Sequence, residues 1–139
     1  MEISDVRKRM HLTIELAKQR AAARRARGDE AARAYSRFLD TVAVPLFRQV
    51  TNVLRAEGYS FSLFTPSGSV RLASDRAAED FIELTLETVG DEPQVVVHTS
   101  RSRGRRVTET ERAVGDPATL SEHDVLEVLA RELEAFVER

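Results

Sequence analysis

The chain of 139 residues contains no cysteine and no tryptophan, and only 6% of its residues are aromatic. Without cysteine it can form no disulfide, iron–sulfur cluster or cysteine zinc site, and it has no thiol nucleophile. No apolar run approaches the ~20 residues that span a bilayer. The first residues, MEISDVRKRM, show neither the apolar stretch nor the cleavage site of a signal peptide. We therefore expect a soluble, cytoplasmic protein with no membrane contact.

The sequence also lacks the common motifs of catalysis and nucleotide binding. It has no G-x-x-x-x-G-K-[ST] loop, no G-x-G-x-x-G, no H-E-x-x-H and no G-x-S-x-G elbow. The three histidines lie in different segments, and only His123 has a carboxylate at i,i+4, Glu127, which is a weak metal signal. Glu83 and Glu87 share one face of a predicted strand, a pattern typical of a solvent-facing side. We predict no catalytic residue, no cofactor and no metal, so an enzyme is not favoured.

Charge is divided unevenly along the chain. Residues 1–57 hold 12 Arg or Lys against 7 Asp or Glu, whereas residues 58–139 hold 9 against 16. Such asymmetry can mark a nucleic-acid surface. A basic half that packs on the acidic half, of the same chain or of a second copy, explains it equally well and is the interpretation we favour. Hydrophobic residues at 42% and charged residues at 32% indicate one globular domain over 1–139.

Residues 1–57 are predicted to form a pair of long helices, a helical hairpin or arm. At 100° per residue, one side of the first helix carries a narrow apolar stripe, which we expect to serve the chain's own core. Leu12 and Leu16 lie almost opposite and are the predicted contact with a second copy. Gly28 is expected to end this helix, and Pro45 to kink or break the second one. The stripe consists of Ile3, Val6, Met10, Ile14, Ala17 and Ala21.

Residues 58–115 alternate between apolar and polar side chains and predict an antiparallel meander of about five strands with one wet face. Residues 116–139 are predicted to form a C-terminal helix, N-capped by Ser121. The expected fold class is α+β, in the order α-α-β-β-β-β-β-α, with the helices packed on one face of the sheet.

Arginines are concentrated in the stretch TSRSRGRR at residues 99–106. We predict a hairpin tip at Ser102 to Gly104, with Gly104 at positive φ. The arginines either stay solvated or paired with Glu109 and Glu111, contact a protein partner, or bind a nucleic acid or other anion. The four candidate contact residues are Arg101, Arg103, Arg105 and Arg106.

A second basic segment ends the first helix. Its charges spread around the helix, which argues against a helix lying on a membrane. Its members are Lys18, Arg20, Arg24, Arg25 and Arg27.

Three functions remain open from the sequence. The first is a non-catalytic interaction protein, most simply a homodimer through its N-terminal helices, with a further protein partner allowed. The second is a weak nucleic-acid or anion binder that uses the arginine hairpin and the basic segment. The third is an enzyme or small-ligand domain with a pocket between sheet and helices.

Overall fold

One uninterrupted helical stretch runs from Ile3 to Ala56, where the sequence predicted two helices. The computed structural model describes residues 1–88, 90 and 92–138; the predicted turn at 90–93 includes Asp91, which lies outside them. Helix α1 spans Ile3–Phe38, a π-helical segment spans Leu39–Ala43, and helix α2 spans Val44–Ala56. The predicted pair of long helices is therefore correct only in part: the segment is helical, but it forms one joined helix that does not turn back.

Gly28 lies inside α1 and does not terminate it. A helix-ending glycine adopts positive φ, and Gly28 is not among the glycines that do so. A glycine within a helix costs only about 1 kcal/mol relative to alanine. The alanine- and arginine-rich segments on both sides, which are strong helix formers, are sufficient to offset that cost.

Pro45 neither ends the helix nor breaks it, and it follows the π-helical segment directly. Its ring would crowd the Thr41 carbonyl in a regular α-helix, and it has no N–H to donate. The Val44 N–H donates to the Leu39 carbonyl, five residues back. This wider turn accommodates the proline while the helix continues.

The sheet is a five-stranded antiparallel meander in the order β1-β2-β3-β4-β5, which confirms the predicted architecture. Its first and last hairpins are the predicted ones: Gly68 (φ 76°) and Gly104 (φ 64°) supply the positive φ that these hairpins require. The strands are β1 Phe61–Phe64, β2 Val70–Ser74, β3 Phe81–Glu87, β4 Gln94–Arg103 and β5 Arg106–Gly115.

Helix α3 spans Glu122–Val137 and begins as the sequence predicted. The Ser121 hydroxyl accepts from the Asp124 N–H at 3.1 Å, and the Asp124 carboxylate accepts from the Ser121 N–H at 2.9 Å. These bonds to Ser121 hold the pKa of Asp124 below its usual range. The resulting stabilisation is present above the ordinary carboxyl pKa and is lost as the pH falls through the lowered value.

Helices α2 and α3 cover one face of the sheet, and the core lies between these two layers. The Tyr35 hydroxyl ties the end of α1 to the sheet by donating to the Gly68 carbonyl at 2.9 Å, with the Leu84 carbonyl at 3.2 Å. Burial, and then the charge of Glu83, raises the pKa of Tyr35, so it stays a neutral donor. The largest fully buried side chains are Phe47, Leu72, Ile82, Leu84 and Leu129.

Candidate interaction surfaces

Residues 3–27 of α1, here called the arm, project from the body of the protein. Every side chain from residue 1 to residue 20 is exposed, and in the arm only Ala21 is partly covered. At 1.5 Å per residue the arm is about 37 Å long. Its large apolar side chains are between 38% and 77% exposed, namely Ile3, Val6, Met10, Leu12, Ile14 and Leu16.

The stripe that was expected to serve the chain's own core is therefore exposed, like the Leu12 and Leu16 side. The sequence interpretation failed because it assumed that the helix folds back onto the body. A continuous α1 carries the stripe beyond the sheet. The arm thus offers two apolar sides to a partner, of which the stripe is the larger.

Basic side chains border the stripe on both sides. At 100° per residue, Arg7, Lys18 and Arg25 follow one edge, and Arg9 and Arg20 follow the other. Among the described ion pairs, only Lys18 of this group takes part, with Glu15 at 3.8 Å on the exposed surface. A partner for the stripe therefore meets apolar side chains between two rows of positive charge.

The basic end of the arm does not join the arginine hairpin into one surface. Arg24 and Arg25 line a surface depression beside Thr88, Gly90 and Pro93, next to the start of β4. The hairpin tip lies at the other end of this ten-residue strand, roughly 30 Å away at 3.3 Å per residue. The two basic groups are consequently separate features.

The arginine hairpin extends past β3, because β3 begins to pair with β4 only at Phe81 and Ser100. Asp80 anchors its base by accepting from the Ser102 N–H at 2.6 Å and the Ser102 hydroxyl at 2.8 Å. Within residues 1–88, 90 and 92–138, no ion pair includes any of the hairpin arginines at 101, 103, 105 or 106. Glu109 instead approaches His98, at 3.7 Å.

A cleft opens beside this hairpin, and it contains a residue that sequence reasoning missed. Arg76, from the β2–β3 connection, lines it together with Arg101, Arg103 and Ser74. The cleft has a volume of about 390 Å³, and Asp80 and Glu138 also line it. No spacing in the sequence links residue 76 to residue 101; only the pairing of β2 to β4 through β3 brings them together.

The face of the sheet opposite the helices is open and carries an ordered side-chain cluster. Arg71 Nε is 2.7 Å from Glu83 Oε2, and the Arg71 guanidinium lies 3.9 Å from the centroid of the Phe81 ring. Phe81 in turn contacts the His98 ring edge to face, with 5.5 Å between centroids. These contacts hold the middle of the open face in a defined arrangement.

The rim of that face combines apolar and acidic residues. Phe64 on β1 is 51% exposed and Val107 on β5 is 50% exposed. Glu109 and Glu111 are exposed on β5 and, by the register, point to the same face as Glu83. This face therefore carries exposed apolar side chains on both edge strands and negative charge along β5.

Glu132 is a buried carboxylate that the sequence did not single out. Its Oε2 accepts from the Thr99 hydroxyl at 3.2 Å, and its Oε1, which has no hydrogen bond, lies 3.6 Å from Arg112 and 3.9 Å from Arg131. Two partly exposed guanidinium groups thus compensate a charge that burial alone would disfavour. The group links α3 to β4 and β5.

Several sites that the sequence left open find no support in the described residues. The largest buried side chains fill the space between sheet and helices, where a substrate pocket would have to lie. In the described part of the chain no three His, Asp or Glu side chains are grouped to hold a metal ion. His123 and Glu127 are 4.0 Å apart on the open surface. None of the helices described combines the length and hydropathy needed to cross a bilayer.

Comparison with known proteins gives no family: no family model, curated protein or solved structure matches the chain.

Proposed function

We propose that this protein is a non-catalytic interaction protein that assembles with a second copy of itself through the arm. The exposed apolar stripe of the arm is the observation that carries this proposal. A helix with no partner is marginally stable in water even at 15 residues, so an apolar stripe along a projecting helix implies contact with a surface that covers it. Leu12 and Leu16 provide a second candidate contact on the other side of the arm.

The size of the apolar surface is adequate for association. Full burial of a large apolar side chain contributes about 1.5–3 kcal/mol. The stripe supplies four such residues from each copy. Their side chains are already partly covered, so the gain for each is smaller than for full burial. The gain competes with an association cost of about 4–15 kcal/mol. A reversible dimer is the expected result.

Thermal unfolding at several protein concentrations tests this proposal. If dimerisation stabilises the arm, the loss of helical circular dichroism signal shifts to higher temperature as concentration rises. The circular dichroism signal at 222 nm measures helical content, and α1 is the longest of the described helices. A midpoint that is identical at all concentrations would count against self-association.

The arginine cleft supports a second candidate function, the binding of a phosphate-like anion. Guanidinium groups bind phosphate oxygens in a bidentate manner. Arg76, Arg101 and Arg103 converge on the cleft, and none of them takes part in an ion pair within the described residues. This proposal places the contact at the base of the hairpin rather than around its whole tip.

Inorganic phosphate is the probe for the cleft. We expect the wild type to gain thermal stability as phosphate replaces chloride at constant ionic strength. The double variant Arg101→Ser, Arg103→Ser loses this gain, whereas Arg105→Ser, Arg106→Ser, which removes the same charge outside the cleft, retains it. Equal responses of the two variants would show a general charge effect and no site.

A further inference from the structure

We infer that the arm of one copy docks across the open face of the sheet of a second copy, and that the exchange is reciprocal. This inference rests on the proposed self-association and identifies what the arm contacts. The alternative partner is the arm of the second copy. Three observations distinguish contact with the sheet from contact with the other arm: the charges of the surfaces, their lengths, and the arrangement of helices and sheet in layers.

Charge disfavours contact between two arms. Five basic side chains border the stripe, with Arg7, Lys18 and Arg25 on one side and Arg9 and Arg20 on the other, and only Lys18 has an ion-pair partner among the described residues. Two such stripes brought face to face, in either orientation, place rows of like charge beside each other. The arm therefore favours a surface that offers both apolar side chains and negative charge.

The open face of the sheet has these properties. Phe64 on β1 and Val107 on β5 supply exposed apolar surface, and Glu109 and Glu111 supply negative charge along β5. Among the residues that the structure describes, Glu109 pairs only with His98, at 3.7 Å, and Glu111 takes part in no ion pair. Both carboxylates are therefore accessible to the basic edge of a docked arm.

The dimensions of the two surfaces also agree. The arm is about 37 Å long at 1.5 Å per residue. The ten-residue strands β4 and β5 are about 33 Å long at 3.3 Å per residue. A helix laid on the open face would complete a helix–sheet–helix arrangement, since α2 and α3 already cover the other face.

The arm cannot reach the open face of its own sheet. It continues without a break into α2, whose Leu46, Phe47 and Leu54 belong to the core on the helix-covered face. To cover its own open face, the chain would have to reverse around the end of the sheet, and the helix has no turn at which to do so. A second copy is the occupant, and a two-fold axis makes both contacts equivalent.

Two variants, each damaged on one side of the contact, test this arrangement. Met10→Glu with Ile14→Glu places charge in the stripe, and Glu109→Arg with Glu111→Arg reverses the charge of the sheet edge. Glu127→Arg with Glu134→Arg, two exposed residues of α3, is the matched charge control. Dissociation constants are measured by sedimentation velocity for each protein alone and for an equimolar mixture of the first two.

The expected order of association is wild type, then the mixture, then either damaged variant alone. In the mixture, the intact arm of the sheet variant meets the intact sheet of the stripe variant, so one of the two contacts is complete. We expect the sheet variant alone to associate at least about tenfold more weakly than wild type, since each copy exchanges attraction for repulsion. The α3 control should associate like wild type.

Two results would overturn the inference, and they separate it from the proposed function. If the sheet variant dimerises as tightly as wild type, the arm contacts something other than the sheet, while self-association stands. If the wild type is itself monomeric, both proposals fail. Should the charge reversal unfold the body, Glu109→Gln with Glu111→Gln keeps the side-chain size and must still weaken association in low salt.

Discussion

Replacing Phe47 by alanine is expected to lower the free energy of unfolding by about 3–5 kcal/mol, the range found when a buried phenylalanine is removed. Phe47 has no exposed surface. It lies on α2 and belongs to the core cluster that also includes residues of the strands and of α3. Its removal leaves a cavity in a close-packed core, which can close only in part. Urea unfolding followed by circular dichroism measures the loss.

Leu126→Ala is the matched control for this effect. Leu126 also lies on a helix that packs on the sheet, but its side chain is 42% exposed. Its truncation should cost about 1 kcal/mol or less. If both variants lost the same stability, the core would not lie where α2 meets the sheet.

Charge introduced into the stripe is expected to convert the proposed dimer to a monomer. Met10→Glu with Ile14→Glu brings four carboxylates into the two apolar contacts of a dimer, where they would have to be desolvated. A cost of about 4 kcal/mol weakens association about a thousandfold. Light scattering reports the mass, and circular dichroism shows whether the body remains folded.

Leu12→Glu with Leu16→Glu provides the comparison for the two sides of the arm. It adds the same charge to the same helix, on the side that the sequence predicted as the interface. Because the stripe is larger and is bordered by basic residues, we expect this variant to keep most of its dimer. The opposite result, with dissociation only in the Leu12 and Leu16 variant, would assign the contact to the side predicted from sequence.

The sheet was accessible to sequence reasoning because its signals are local. Alternation around Ile82 and Leu84 identifies a half-buried strand, and Gly68 and Gly104 stand where hairpins need positive φ. Ser121 forms the N-cap that its position predicted. Each of these features depends on neighbours within a few residues.

The structure of residues 1–57 was harder to predict from the sequence, because it depends on free-energy contributions of similar size that oppose each other. Keeping Gly28 inside a continuous helix costs only about 1 kcal/mol relative to alanine. The helix-forming alanines on both sides are sufficient to make the continuous helix the more stable of the two. That single decision changes the position of the whole stripe from the core to the surface. Sequence periodicity indicated which residues share a side of the helix, but it could not indicate what covers that side.

The candidate surfaces could be predicted only in part from the sequence, because some of their residues are far apart in the chain. The four hairpin arginines lie within residues 101–106, so their grouping was visible in the sequence. Arg76 in the cleft and the contact of Arg71 with Phe81 depend on strand register across 10 to 30 residues. A single sequence does not determine that register.

Self-association through the arm is the central claim, and the solution mass of the unmodified protein tests it most directly. The chain has a mass of 15.6 kDa, so a dimer has twice that mass, about 31 kDa. Light scattering at two protein concentrations and two salt concentrations should give this value at high concentration and low salt. It should fall towards 15.6 kDa on dilution, and sooner at high salt, because charge contributes to the contact. A mass of 15.6 kDa under all four conditions would contradict the account.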